Sequence, residues 1–173
     1  MKKLLTLVFA LVAVLGLVSC GKAAVNPDKD YYAVGQFQGW TVKEEAKMEA
    51  VASVKGLKIK NAKYIYAKDC EFSADDAGWG ETIGEVKYNG NLAVKVVRTA
   101  AGDAESVDFW AQNKESGKVT NLTPDTLFIG AYQEEDEGQG SWGSNVFVKE
   151  AGTYTIVFVE FADGSLGMGA VKK

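Results

Sequence analysis

The chain has 173 residues, 47% of them hydrophobic, and carries a formal net charge of -4 with no histidine. That apolar content supports a packed core and excludes bulk disorder. The acidic balance argues against nucleic acid, whose phosphates need a basic surface, and the missing histidines remove Ser-His-Asp and Cys-His nucleophile systems.

The chain opens on Met1-Lys2-Lys3, a short basic segment, followed by residues 4–17, apolar apart from Thr6. That run suits the hydrophobic region of an export signal and is short for a spanning helix. It closes on Leu17-Val18-Ser19-Cys20, which resembles the lipobox of bacterial lipoproteins: a branched apolar residue, two small or apolar residues, then cysteine. The resemblance implies cleavage before Cys20 and a diacylglycerol thioether on its sulfur. Two acyl chains, each contributing about 0.8 kcal/mol per buried CH2, hold a protein on a membrane without a spanning helix. An ordinary secretory signal with a chance cysteine and an uncleaved anchor helix are the alternatives. The expected organisation is a signal peptide at 1–19, a tether at 20–30 and one domain at 31–173. The removed segment carries Lys2, Lys3 and no acid, so the mature chain moves from a net charge of -4 to -6. Once Cys20 is lipidated, Cys70 stands alone, so no intrachain disulfide forms.

From Tyr31 the texture is β. Tyr31-Tyr32-Ala33-Val34 predicts a strand ending at Gly35. Residues 43–51 favour helix by propensity but carry a poor amphipathic stripe, so any helix there is short or frayed. Short strands are expected at 57–59 and 64–67. Cys70 alternates with its neighbours as a buried strand residue would. Asn89-Gly90-Asn91 between Val86-Lys87-Tyr88 and the apolar run 92–97 predicts a hairpin, because Asn and Gly tolerate positive φ. Further strands are expected at 107–112 and 126–132, with a turn at 123–125. Residues 154–161 form a long strand, apolar on both faces, that turns at 162–165 and returns through Leu166-Gly167-Met168. The acidic run 134–137 reads as a solvated loop, since it lacks the alternating ligand spacing of calcium loops. No metal and no cofactor is expected. Many short strands with glycine-containing turns predict an all-β, antiparallel sandwich.

Three of the four tryptophans sit beside glycine: Gly39-Trp40, Trp79-Gly80 and Trp142-Gly143. Glycine beside an indole lets backbone or ligand approach the ring, and sugars stack their C–H faces on such rings. The segment Gly35-Gln36-Phe37-Gln38-Gly39-Trp40 resembles the Gly-x-Phe-x-Gly-Trp opening of SusE/SusF-type starch-binding domains of Bacteroidetes outer-membrane lipoproteins. Met48, Glu71-Phe72-Ser73 with Trp79-Gly80 and Gly84, and Asn145-Val146-Phe147-Val148 with Ala151-Gly152-Thr153-Tyr154-Thr155-Ile156 continue the likeness. It covers roughly 31–84 and 145–168; the middle, 85–144, is longer than that family's loop, and the family's strand lysine is missing at Ser73. The resemblance implies an immunoglobulin-like sandwich, an outer-membrane location facing the cell surface or the periplasm, and an oligosaccharide ligand. It also implies membership of an outer-membrane glycan-uptake complex. Trp40 and Trp79 match its sugar-contacting tryptophans. Trp142, from its glycine-rich setting, and Lys68, on the strand leading to Trp79, complete the candidate glycan site. Gly35, Phe37 and Gly39 read as structural.

Two functions remain open on the sequence: a lipid-anchored, non-catalytic glycan-binding module, and a structural or protein-interaction lipoprotein whose tryptophans serve its packing. An enzyme would need two carboxylates across a cleft. Asp75, Asp76 and Glu81 near Trp79 are the cluster to inspect, and they read as loop charges.

Overall fold

A computed structural model describes residues 22–83, 85–113, 120–122, 127–129, 131–132 and 146–173. The signal segment, Cys20, the turn at 123–125, the acidic run 134–137 and Trp142 lie outside the described residues. In chain order the strands are β1 (Lys29–Gly35), β2 (Glu49–Ala50), β3 (Ala62–Phe72), β4 (Gly80–Ile83), β5 (Val86–Asn89), β6 (Ala93–Ala100), β7 (Asp103–Asn113), β8 (Thr120–Leu122), β9 (Leu127–Ile129), β10 (Ala131–Tyr132), β11 (Val146–Val148), β12 (Gly152–Phe161) and β13 (Leu166–Lys172).

They build an all-β sandwich. One sheet runs β10-β7-β6-β11-β8, with β1 on the other edge of β6; the second runs β2-β3-β12-β13-β9; β4 and β5 form a separate hairpin. Pairing is antiparallel except between β8 and β11. Strand side chains alternate between faces. Tyr31 and Ala33 of β1, Val94 and Val96 of β6, and Tyr154, Ile156 and Phe158 of β12 therefore meet between the sheets. The opposite parity is buried too. Val157 and Val159 turn outward against Val54 and Leu57 of the 51–61 loop, and Tyr32, Val34 and Val97 pack under Ala46, Trp40 and Trp110. Both faces of β1 and β12 are thus covered, which is why those runs lack polar alternation. Lys95 is buried on the outer face of β6, its ammonium 6.0 Å from the centre of the Trp110 ring.

Three sequence expectations are corrected. The 43–51 stretch is not a helix: only Glu44–Ala46 winds into a 3-10 turn. Beyond it the chain passes from one sheet to the other. Lys47 bridges Tyr32, the Met48 amide donates to the Tyr31 carbonyl (2.7 Å), and Glu49–Ala50 pairs with Ala67 and Tyr66. Satisfying two open sheet edges outweighs helix preferences of tenths of a kcal/mol per residue. Residues 57–59 are not a strand; Leu57 and Ile59 cap the outer face of the second sheet. Nor does the 89–91 segment join two paired strands, because β5 pairs with β4 and β6 with β1, β7 and β11. Gly90–Leu92 is a 3-10 turn with Asn89 as its cap.

The two ends of the sandwich differ. At the Lys29 end lie the turn at 101–102, whose Ala101 amide donates to Asp28, and the turn at 162–165. At the Gly35 end lie the 36–40 turn, the 73–79 loop and the 90–92 turn.

Candidate functional site

The Gly35 end gathers the Gly39-Trp40 and Trp79-Gly80 motifs. β1 stops at Gly35 because the chain winds into a 3-10 turn over Gln36–Gln38. Gly39 follows at φ 76, the left-handed region open to glycine. The Trp40 amide donates to the Gly35 carbonyl (3.0 Å) and the Gly39 amide to the Gln36 carbonyl (3.3 Å). That paired closure is the Schellman ending of a helical turn, with its apolar residue just beyond the glycine. Trp40 itself sits at φ 58, a conformation a bulky side chain adopts only when its packing compensates. A Cβ on Gly35 would lie 2.4 Å from the Ala93 carbonyl oxygen and 2.5 Å from the Phe37 ring. Phe37 packs edge-on against Phe72, ring centres 5.0 Å apart. The Gly-x-Phe-x-Gly-Trp spacing thus encodes a turn that seats Phe37 on the core and swings Trp40 over the sheet edge.

Trp79 arrives from the 73–79 loop. Asn89 holds that loop: its Oδ1 accepts from the Ala77 and Asn91 amides (3.1 Å each), and its Nδ2 donates to the Asp75 carbonyl. Asn91 Nδ2 reaches the same carbonyl at 2.7 Å. The Gly90 amide donates to the Trp79 carbonyl (2.9 Å), and the indole lies flush on Gly90, where a Cβ would be 2.2 Å from Cε2. Gly90 is there for close approach, not for a turn of special φ.

The structure brings Trp40 and Trp79 together, ring centres 6.3 Å apart and inclined at 45°. Both are half-buried against the core. Their indole N–H groups converge on one acceptor, Gln36 Oε1, at 3.0 Å from Trp40 and 3.4 Å from Trp79. Trp79 lines a surface cleft of about 290 Å3 together with Asp76, Gly78, Lys87 and Asn89. Asp76 Oδ1 accepts from the Gly78 amide (2.9 Å), which leaves its second oxygen to the cleft. The rim therefore offers a carboxylate and an ammonium beside an indole. Trp40 does not line this cleft; it buttresses Trp79 from behind. Lys68 is not on the rim either. It shares the inward parity of Tyr66 and Cys70 on β3, and the rim lysine is Lys87 of β5. Of the acidic cluster, Asp75 is bound to Ser73 (2.8 Å) and Asp76 to the Gly78 amide, so both brace their own loop.

Sequence reading missed Gln36, Asp76, Lys87 and Asn89 as site residues. Gln36 stood inside the motif, but nothing marks a residue whose amide serves two indoles from 4 and 43 positions away. Cys70 is buried in the core, and burial pushes its thiol up to about 12, which keeps it unreactive.

No protein-family model, curated protein or solved structure matches the chain.

Proposed function

We propose that this chain is a membrane-anchored lipoprotein, lipidated at Cys20, whose sandwich binds a glycan without catalysis at the Trp79 cleft. The observation that carries it is the cleft itself: an indole bordered by a carboxylate, an ammonium and an amide, the pairing of apolar face and polar edge that a sugar ring presents. At about 290 Å3 the cleft lies at the lower bound of small-molecule sites, roughly 300 Å3, so it suits one or two rings. Few stacked rings imply weak binding, millimolar to micromolar, about -4 to -8 kcal/mol. The likeness to SusE/SusF domains favours an α-glucan, and with it the outer membrane and a glycan-uptake complex. No catalytic role is proposed for Asp75, Asp76 or Glu81.

A second reading has its own support. Gln36 satisfies both indole N–H groups and Gly90 covers part of the Trp79 ring, as in tryptophans kept for packing. That is the structural or protein-interaction lipoprotein. Titrating the domain with malto-oligosaccharides and other soluble glycans separates the two. The glycan reading expects saturable binding, weakened at least about tenfold (about 1.4 kcal/mol) by Lys87→Ala with the melting temperature unchanged. Absence of binding by the parent across the panel leaves the structural reading.

A further inference from the structure

The first described residues, which follow the proposed lipid anchor in sequence, meet the sandwich at the end opposite the Trp79 cleft, and that end carries a built clamp. The Asn26 amide donates to the Tyr66 hydroxyl (2.8 Å), and its side chain donates to the Tyr31 hydroxyl (3.0 Å). Tyr31 in turn donates to Glu160. Arg98 lies 3.6 Å from Glu160 and donates to Asp108 (3.0 Å), which also takes Lys29. Burial, and then the bond to Glu160, push the Tyr31 hydroxyl above its ordinary range, so it stays a donor. The chain is thus fastened to the Lys29 end of both sheets, β1 and β6 on one side and β3 and β12 on the other, before β1 begins.

We infer that this Asn26 clamp sets the pose of the protein on its membrane: the Lys29 end faces the bilayer and the Trp79 cleft points away from it. Five residues separate Cys20 from Asn26, a reach of at most about 22 Å, so the clamped end stays near the lipid. From there β3 runs its 11 residues to the cleft end, about 35 Å further. Beyond the tether, Lys55, Lys58, Lys60 and Lys63 are exposed on the segment that enters β3 at the Lys29 end, where they favour an anionic headgroup surface. The mature chain is acidic overall, and the exposed large hydrophobics among the described residues are Val25, on the tether itself, and Val86. The occupant of the clamped end is therefore the chain's own membrane.

The pose rests on the lipid-anchor reading, and the experiment keeps the two apart. Ala162, at the Lys29 end, or Ala74, at the cleft end, is replaced by azidophenylalanine and coupled to a donor dye; both positions are exposed. The full precursor is matured in cells and reconstituted in vesicles carrying a headgroup acceptor dye. In parallel the mature chain is coupled through Cys20 to a maleimide phospholipid in the same vesicles, where buried Cys70 does not compete. Energy transfer from position 162 is expected to exceed that from position 74 at least about twofold, given the roughly 35 Å between the ends. In Asn26→Ala/Tyr66→Phe the difference is expected to collapse, because the tether then leaves the domain unfastened. Equal transfer from the two ends, or stronger transfer from position 74, overturns the pose in either arm. A cell-matured chain that fails to float with vesicles overturns the lipid anchor alone, and the maleimide arm still reads the pose.

Discussion

Replacing Gly90 by alanine tests the seat of Trp79. The added Cβ would stand 2.2 Å from Cε2, 2.5 Å from Cδ2 and 2.6 Å from Cζ2 of the indole, against ordinary carbon contacts of about 3.5–4.0 Å. Contact on three ring atoms at once leaves no rotation of the ring that relieves all of them, so the indole must retreat by more than about 1 Å. Retreat stretches its bond to Gln36, already 3.4 Å, and presses the ring towards Trp40. Overpacking of this kind costs about 1–3 kcal/mol. For a domain of this size each kcal/mol lowers Tm by about 2–4 °C, so the variant should melt roughly 2–12 °C below the parent. Calorimetry reads the loss, and tryptophan emission should shift as the indole leaves its seat. If Gly90→Ala melts with the parent and emits like it, Trp79 does not rest on Gly90, and the shape of the cleft falls with it.

Four further expectations follow from particular contacts. Tyr154 is fully buried with a hydroxyl that finds no hydrogen-bond partner among the described residues, so Tyr154→Phe should be neutral or stabilising by about 1–3 kcal/mol in urea denaturation; a loss of more than about 1 kcal/mol would reveal a partner. Cys70 should resist a thiol reagent at pH 8 in the folded, Cys20-blocked protein and react fully in denaturant; rapid native labelling would contradict its burial. At Asp108, burial raises the carboxyl pKa, but the bonds from Lys29 and Arg98 outweigh it and hold the carboxyl below its ordinary 3.8. The stability it contributes is complete above that value and is lost as pH falls through the lower folded pKa. Asp108→Asn should therefore lose less stability than the parent between pH 5 and the acid limit, and parallel curves would refute the linkage. Trp40 packs on the core with a strained backbone, so Trp40→Ala should destabilise markedly, towards the 3–5 kcal/mol of buried tryptophans; unchanged melting would mean that Trp40 is not a buttress.

The sandwich was legible because its central strands carry their burial in their composition. Tyr31-Tyr32-Ala33-Val34 and the 154–161 run are apolar at both parities, and both faces are covered. The structural roles of Gly35, Phe37 and Gly39 were legible, with Phe37 as an apolar plug, whereas the left-handed turn at Gly39 came from the structure. The passage of residues 47–50 between sheets was not legible. Its local sequence favours helix, and the competing energy comes from edges of β1 and β3 that no local window contains. Asn89-Gly90-Asn91 misled for a related reason: the pair that tolerates positive φ serves here as a loop clamp and a contact surface for an indole from another segment. Pairing Trp40 with Trp79 was within reach of the motif, whereas exchanging Lys68 for Lys87 needed the strand parity of β3 and the register of β4 against β5.

We propose Trp79 as the floor of the glycan site. This role is tested most directly by following the four indole N–H resonances of the folded domain, assigned by single Trp→Phe variants, through a titration with a malto-oligosaccharide. Saturable movement of the Trp79 signal is expected, with a smaller response from Trp40 beside it and no response from Trp110, which packs on the outer face of the first sheet. A Trp79 signal that stays still while the sugar binds elsewhere, or four signals that never move with any glycan, would contradict it.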